Sequence, residues 1–218
     1  MPSTPYRPPA NHGLDILHLS HQLIVVNKPS GLLSVPGRGA DKEDSLSRRV
    51  QAEYPDALIV HRLDMGTSGI VVMARSADAH RELGAMFEER RVSKRYQALV
   101  DGCWLAAAAG EIALPMTVKG PKQKVDYATG RPSLTRYRVI DIDTACAVSR
   151  LELEPVTGRS HQLRVHMEAM GHPIIGDDFY GTPESCAKAE RLMLHACRIE
   201  LCEPGSRIPL CVECSAPF

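Results

Sequence analysis

The stretch that decides the fold is Leu58-Ile-Val-His-Arg-Leu-Asp-Met-Gly-Thr-Ser-Gly-Ile-Val-Val-Met-Ala74. Its last five residues, Ile70–Ala74, form an unbroken apolar run, which is typical of a central strand buried on both faces. Leu58–Val60 predicts a second, shorter strand. His61–Gly69 lies between the two runs and is polar with two glycines, which favours a loop. The sequence therefore predicts a polar loop at the edge of a buried sheet.

Strand patterns outnumber helix patterns on both sides of this stretch. Helices are predicted from Asp44 or Ser45 to Tyr54, over Ala77–Arg91, and from Thr157 to about Met170, where Gly171 ends the helix. Further strands are predicted at Ile16–Leu19, Leu23–Val26, Tyr96–Val100, Thr135–Ile140, Ala147–Leu153, Met193–Leu201 and Leu210–Cys214. Because many of these strands follow one another directly, we predict an α+β fold with one mixed, mainly antiparallel sheet and flanking helices.

Length and composition are those of an ordinary globular protein. The chain has 218 residues, of which 44% are hydrophobic and 24% charged, so it can bury a core without disulfide or metal support. We expect a flexible, proline-rich arm over residues 1–14 and a single domain over 15–218.

No apolar run approaches the roughly 20 residues of a membrane helix, and the N-terminus has no apolar signal region. The seven irregularly spaced cysteines then favour reduced thiols and a cytoplasmic location.

The charge balance excludes a protein that is basic overall. Twenty-six basic residues match twenty-six acidic ones, so any site for a polyanion must be local. One segment has such a local excess, because Lys119–Arg138 contains six basic residues and one acid, Asp126. The six are Lys119, Lys122, Lys124, Arg131, Arg136 and Arg138. This segment predicts a phosphate-binding rim, although charged runs are more often solvated faces.

Three polar clusters carry the candidate chemistry. Asp64 lies in the loop His61–Gly69, where it can act as a rigidly held carboxylate or simply bond backbone N–H groups in a turn. Arg164 can bring a guanidinium to that carboxylate and lower its pKa, or belong to a solvated basic helix face with Arg159 and His161. Tyr96 follows two cations and is either a base-stacking residue or a strand-edge tyrosine.

Several other activities lack their sequence signals. There is no glycine-rich nucleotide-binding motif and no nucleophile elbow. Cys211 and Cys214 form one C-x-x-C pair without a second pair at finger spacing, and His161 and His166 are five residues apart, so they do not share a helix face. We therefore expect neither a metal nor a cofactor.

Six motifs in order resemble RluA-type RNA pseudouridine synthases. The central motif is His61-Arg-Leu-Asp64-x-x-Thr67-Ser-Gly-Ile70, which resembles the catalytic motif of that family. The others are Asn27-Lys-Pro-Ser-Gly-Leu32, Lys94-x-Tyr96-x-Ala-Leu-Val-x-Gly102, Thr157-Gly-Arg-x-His161-Gln-Leu-Arg164-Val-His166, Gly171-His-Pro-Ile-x-Gly176-Asp-x-x-Tyr180-Gly181 and Arg191-Leu192-x-Leu194-His-Ala196. Together they span most of the chain, from Asn27 to Ala196.

The resemblance implies a role for each motif residue. Asp64 is the essential carboxylate, Tyr96 stacks on the target uracil, and Arg164 pairs with Asp64. Arg62 enters the RNA stack as the base leaves, and Leu192 and Leu194 line the uracil pocket. The segment around Lys122 and Lys124, together with Arg159 and His161, contributes to RNA binding. The family fold has a central catalytic cleft, and its reaction needs no cofactor.

The substrate prediction also rests on this resemblance. Only about 26 residues precede Asn27, so we expect no separate S4-like RNA-binding domain. The chain is most similar to family members that modify 23S rRNA at uridine 746 and tRNA anticodon stem-loops at uridine 32. Action on one of these RNAs or on another site is the alternative. A non-catalytic RNA-binding module and a hydrolase using Asp64 with His61 or His195 remain as other classes. A monomer is the default expectation.

Overall fold

The computed structural model describes residues 6–105, 108–117, 120 and 122–218. Lys119 of the predicted basic segment therefore lies outside the described residues. The described chain divides into two compact units. One contains the residues up to Val92 together with Ala196–Ala216, and the other contains Ser93–His195 with Pro217–Phe218. The single domain that we expected over residues 15–218 stays a prediction.

Strands and helices follow one another along the chain largely as the patterns predict. The strands are β1 Ile16–Leu19, β2 Leu23–Lys28, β3 Leu58–Ile59, β4 Ser68–Ala74, β5 Ser93–Asp101, β6 Ala109–Ala113, β7 Leu134–Asp143, β8 Val148–Pro155, β9 Leu194–Cys202 and β10 Pro209–Glu213. The helices are α1 Leu46–Glu53, α2 Ala77–Glu88, α3 Gln162–Ala169 and α4 Pro183–Ala187, with a short 3₁₀ helix at Ala40–Lys42.

The first unit is built on β4, which is buried along its whole length as the run Ile70–Ala74 predicts. Antiparallel neighbours of β4 are β2 and β3, and β1 and β10 pair in the same sense with β2 and β9. Helix α2 packs Leu83 and Met86 into the core of this unit. Ser76 caps that helix, because its side-chain oxygen accepts a hydrogen bond from the N–H of Ala79.

The second unit has the antiparallel strand order β5-β8-β7-β6. Its core contains Leu151 and Leu153 from β8 and Leu163 and Met167 from α3. Met170, near which we predicted the end of this helix, is 40% exposed. Helix α4 was not predicted. It is a single short turn, capped by Thr182 and opened by Pro183.

The described part of the N-terminal arm is attached to the first unit. The hydroxyl of Tyr6 donates to the carbonyl of Asp44 and accepts from the N–H of Leu33, both at 3.0 Å. Arg49 donates to the carbonyl of Pro9 at 2.6 Å and to the Asp44 carboxylate. The flexible arm that we expected over residues 1–14 stays a prediction, of which residues 1–5 lie outside the described residues. Tyr6 and Asp44 are 38 residues apart in sequence, and Pro9 and Arg49 are 40 apart, so no local pattern reveals these contacts.

Candidate functional site

The backbone on the N-terminal side of Asp64 is held by one serine. Asp64 is half-buried in the loop that joins β3 to β4. The hydroxyl of Ser34 donates to the carbonyl of Leu63 at 2.7 Å and accepts from the N–H of the same residue at 3.1 Å. The carbonyl of Asp64 itself accepts from the N–H of Thr67 at 3.1 Å and closes a turn. Residue 64 therefore stands in a backbone geometry that is fixed on both sides.

A buried lysine holds the other side of the loop. Lys28 is fully buried, and its Nζ donates to the carbonyls of Pro29, Leu32 and Met65 at 2.9, 2.7 and 3.1 Å. A buried ammonium is tolerated only where such acceptors replace its water. The N–H of Gly31 donates to the same Met65 carbonyl, and Ser30 donates to the carbonyl of the next residue, Gly66. The segment 28–34 thus acts as a cradle for the loop 63–66.

Gly69 lies at the end of this loop, in β4, where the backbone of Ala196 packs closely against it. Its φ is +110°, a backbone conformation that residues other than glycine rarely adopt. A Cβ at this position would lie 2.3 Å from the carbonyl oxygen of Ala196 and 2.6 Å from the nitrogen of the same residue. The second glycine of the loop motif is therefore required by packing of backbone against backbone.

His61 has a structural setting. Its Nε2 accepts the N–H of Val72 at 3.0 Å, and its ring stacks on Phe87 with centroids 4.6 Å apart. Because Nε2 accepts a hydrogen bond from the backbone of β4, the ring holds the loop against that strand. This setting disfavours the hydrolase hypothesis in which His61 is the proton-transferring partner of Asp64.

In the second unit, the residues before α3 form a turn in place of the helical start that we predicted at Thr157. Gln162 explains the difference. Its Oε1 accepts from the hydroxyl of Thr157 at 2.7 Å and from the N–H of Arg159 at 3.1 Å, while its Nε2 donates to the carbonyl of Leu134 at 3.0 Å. His161 then takes a left-handed conformation, with φ +57°, as the residue that precedes the helix. Side-chain bonds to the backbone outcompete helical bonds in this turn.

Arg164 is held by a buried ion pair. Its side chain is 6% exposed, and its Nε and Nη2 both donate to the carboxylate of Asp177 at 2.7 Å. The rings of Phe179 and Tyr180 lie 5.3 and 5.1 Å from the guanidinium carbon. Asp178 is a third, weaker partner at 3.4 Å. A bidentate ion pair and two aromatic faces together fix the plane of the guanidinium.

Asp177 also organises the chain around Arg164. The carboxylate is fully buried, and its Oδ1 accepts from the N–H groups of Phe179 and Tyr180 at 2.9 and 3.0 Å. The turn that carries both rings is thus closed by the same carboxylate that binds the guanidinium. We quoted Asp177 and Tyr180 as part of a sequence motif but assigned them no role, because a contact across 13 residues and two elements has no local pattern.

Tyr180 connects this cluster to two predicted RNA-binding residues. Its hydroxyl bonds with Nδ1 of His161 at 2.7 Å and accepts from the N–H of Gln123 at 2.9 Å. The ammonium of Lys122 lies 5.4 Å from the centre of its ring. His161, Lys122 and Arg164 are therefore brought together around one tyrosine, and of these three predicted residues only Lys122 is exposed.

The predicted pocket-wall residues lie in the core of the same unit. Leu192 and Leu194 are 5% and 3% exposed and belong to one hydrophobic cluster, against which the half-buried Tyr96 packs. Tyr96 lies on β5, directly opposite Leu153 of β8. This arrangement gives one aromatic ring beside apolar side chains, which suits a flat, uncharged base.

Two further cations lie near the start of α3. The buried Nε of Arg159 has no hydrogen-bond partner among the described residues. Burial lowers the pKa of Lys94 from its usual value, and a Cβ added to Gly158 would lie 3.9 Å from its Nζ. A guanidinium with an unfilled donor and a desolvated ammonium are suited to an anionic ligand.

The basic segment is divided by the structure into paired and unpaired residues. Arg136 and Arg138 of β7 stand directly opposite glutamates of β6 and β8, and they form ion pairs with Glu111, Glu154 and Glu152 at 2.9, 3.6 and 3.0 Å. These two arginines therefore do not add to a local positive charge. Lys122, Lys124 and Arg131 are exposed, and within the described residues no carboxylate pairs with them.

His166, which we quoted within the Arg164 motif, is a core residue. It is fully buried, and its Nε2 lies 2.8 Å from the hydroxyl of Ser133, which donates to the carbonyl of Leu114. Burial lowers the pKa of His166 to about 4. The ring is therefore neutral at physiological pH.

Across the described ranges, no three His, Cys, Asp or Glu side chains are grouped so that they could hold a metal ion. None of the described helices has the length and apolar character to span a membrane.

Comparison with known proteins defines the class to which this fold and site belong. The family model of RNA pseudouridylate synthases matches residues 22–169, a range that contains Asp64, Tyr96 and Arg164. The solved structure of human RNA Pseudouridylate Synthase Domain Containing 1 superimposes with a TM-score of 0.80 at 30% identity, covering 97% of this chain and 87% of that one. The chain belongs to the RNA pseudouridylate synthase family.

Curated relatives narrow the similarity further. The chain is 47% identical over 216 residues to the dual-specificity RNA pseudouridine synthase RluA of Escherichia coli K12. The aligned region covers 98% of each chain. It is 50% identical over 206 residues to the protein of the same name from Yersinia pestis, covering 93% of this chain and 99% of that one. The chain is an isomerase that converts uridine to pseudouridine in RNA. The predicted α+β fold with a mixed, mainly antiparallel sheet is confirmed.

Proposed function

We propose that this enzyme modifies two RNAs, 23S rRNA at uridine 746 and tRNA anticodon stem-loops at uridine 32, and that Asp64 is its essential carboxylate. The observation that carries the substrate proposal is the 47% identity over 98% of both chains to an enzyme named for dual specificity. Similarity of this extent covers the basic segment as well as the core motifs. We further propose that the enzyme acts as a cytoplasmic monomer.

The reaction assigns clear tasks to the site residues. The N1–C1′ bond of uridine breaks, the uracil turns, and C5 bonds to C1′, after which C5 loses its proton and N1 carries one. Asp64 must be anionic whether it attacks C1′ or assists formation of a glycal. We assign Arg164 the task of keeping Asp64 ionised, because a guanidinium held in one plane can place a donor toward a carboxylate.

The target base must first leave the RNA stack, which costs a few kcal/mol. We assign Arg62, which is exposed beside Asp64, to the gap that the base leaves. Tyr96 would stack on the extruded uracil, and Leu192 and Leu194 would exclude water from it. Stacking on one aromatic ring is worth about 1–3 kcal/mol per base, which is enough to offset the extrusion. Lys122, Lys124, Arg159 and His161 would hold the surrounding RNA.

The test is direct mapping of pseudouridine in both RNAs. Wild-type protein and Asp64→Asn are incubated with a tRNA anticodon stem-loop and with a fragment of 23S rRNA, and pseudouridine is located by carbodiimide labelling and primer extension. We expect modification of uridine 32 and uridine 746 by wild type and none by Asp64→Asn.

The matched control is Asp78→Asn, which makes the same chemical change at a side chain that is 90% exposed on α2. It should retain full activity. Turnover by Asp64→Asn would disprove the role of Asp64, and modification of one RNA only would disprove the dual-substrate proposal.

A further inference from the structure

Tyr127 is an exposed aromatic residue in a hydrogen-bonded turn, and the proposed function assigns it no role. Its side chain is 79% exposed. It lies in the turn 126–130, between Lys124 and Arg131. We call the described residues 114–117 and 122–131 the Met116 hairpin. Single exposed apolar residues are common on protein surfaces, so the exposure of Tyr127 alone decides nothing. The construction of the turn and the charges around it carry the argument.

The base of the Met116 hairpin is fixed on both strands. Met116 is fully buried and bridges both Val125 and Arg131. Its N–H donates to the carbonyl of Arg131 at 2.9 Å, and its carbonyl accepts from the N–H of Arg131 at 2.8 Å. The N–H of Asp126 donates to the carbonyl of Pro115 at 2.8 Å. The residues on either side of the turn therefore cannot move independently.

The turn itself is closed by Asp126. Its carboxylate accepts from the N–H groups of Ala128 and Thr129, both at 3.0 Å, and from the hydroxyl of Thr129 at 2.6 Å. These bonds lower the pKa of Asp126. Gly130 completes the turn, because a Cβ there would lie 2.2 Å from the Asp126 carbonyl oxygen. The ring of Tyr127 is thus presented on a backbone that is already ordered, which reduces the entropy lost when a ligand binds it.

The hairpin is continuous with the cluster around Arg164. Val125 packs against Met116, Val165 and Tyr180, and Tyr180 is one of the two rings that flank the Arg164 guanidinium. Tyr127 therefore lies two residues from a side chain that belongs to the packing of the Arg164 cluster.

The charges on the hairpin favour a nucleic acid as a ligand. Lys122, Lys124 and Arg131 are exposed, and no carboxylate of the described residues pairs with them. The one acid of the turn, Asp126, is bonded within the turn; the charge of Lys124 also lowers its pKa, but the two side chains form no ion pair. An exposed aromatic ring between unpaired cations is the combination that binds single-stranded RNA, because the ring stacks on a base while the cations meet its phosphates.

We propose that Tyr127 stacks on an unpaired base of the substrate RNA other than the target uridine. This inference rests on the proposed function, since the RNA is the substrate named there. It assigns Tyr127 to binding and not to the isomerisation. Stacking needs only the aromatic ring, so the hydroxyl should be dispensable.

The test compares Tyr127→Ala and Tyr127→Phe in binding a fluorescein-labelled tRNA anticodon stem-loop, measured by anisotropy. Tyr127→Ala should raise the Kd about 5- to 160-fold, the range that stacking of one base supplies, with kcat at saturating RNA within about twofold of wild type. Tyr127→Phe should bind within about twofold. The matched control is Ile208→Ala, which removes a side chain that is 60% exposed between β9 and β10 and should leave the Kd unchanged.

Salt dependence separates stacking from charge. Tyr127→Ala should keep the wild-type slope of log Kd against log salt concentration, whereas Lys124→Ala should lower the slope by about one. Wild-type affinity in Tyr127→Ala, or an equal loss in Tyr127→Phe, would overturn the stacking proposal. Binding without pseudouridine formation would overturn the substrate assignment alone, and absence of binding by wild type would overturn both.

Discussion

Replacement of Asp177 by asparagine should destabilise the protein strongly, although Asp177 is not proposed to touch the RNA. The carboxylate is fully buried and accepts two bonds from Arg164 and two from backbone N–H groups. Breaking a buried ion pair on one side costs about 3–5 kcal/mol, because the remaining charge is left uncompensated. Asparagine keeps the shape and one acceptor, so we expect a loss of about 3 kcal/mol in the free energy of unfolding. For a chain of this size that is about 6–12 °C in Tm.

The neighbouring residue provides the control. Asp178 lies 3.4 Å from the same Nη2 of Arg164, but its side chain is 72% exposed, so Asp178→Asn should cost at most about 1 kcal/mol. Urea denaturation followed by circular dichroism measures both variants. If the two substitutions cost the same, the account of Asp177 as the partner that holds Arg164 is wrong. Activity of Asp177→Asn, assayed well below its Tm, should also fall, because the guanidinium loses its fixed plane.

Two further predictions concern stability. Because the pKa of His166 is about 4 when folded and 6.5 when unfolded, the unfolded chain binds more protons between these values, so stability is lost as pH falls through them. Relative to His166→Gln, wild type should lose about 2 kcal/mol between pH 7.5 and pH 5 in urea titrations, and parallel curves would contradict this. Gly69→Ala should prevent stable folding, because its Cβ would overlap the backbone of Ala196. Gly84→Ala on α2, where a Cβ meets nothing within 4 Å, should raise the Tm by up to a few degrees.

Apolar periodicity predicted the positions of most elements because burial depends on local patterns of side chains. Ile70–Ala74 is an example, since a run of five apolar residues has few alternatives to a strand buried on both faces. The start of α3 was misplaced for a different reason. The pattern from Thr157 is compatible with a helix, but Gln162 bonds the hydroxyl of Thr157 and the carbonyl of Leu134. The second of these partners lies on another strand, so the sequence near Thr157 does not reveal it.

The sequence predicts which residues belong to the candidate site, and that prediction stays open, but it does not predict the partners that the structure gives them. The motifs supplied Asp64, Tyr96 and Arg164, and the pairing of Asp64 with Arg164 stays a prediction. The bond from Arg164 to Asp177 depends on how α3 packs against the chain that follows it. The unpaired positive charge of the basic segment was overestimated for a similar reason. Strand register decides that Arg136 faces Glu111 and Glu154, and register cannot be read from a charge count.

The cradle formed by residues 28–34 has a consequence for how this loop can vary. Most of its bonds end on backbone atoms of Leu63, Met65 and Gly66, so they are insensitive to which side chain residue 65 carries. Met65 is 45% exposed and could be exchanged while the neighbouring carboxylate keeps its place. Exchange of residue 65 would thus change the surface beside Asp64, while the main chain that carries the carboxylate keeps its bonds.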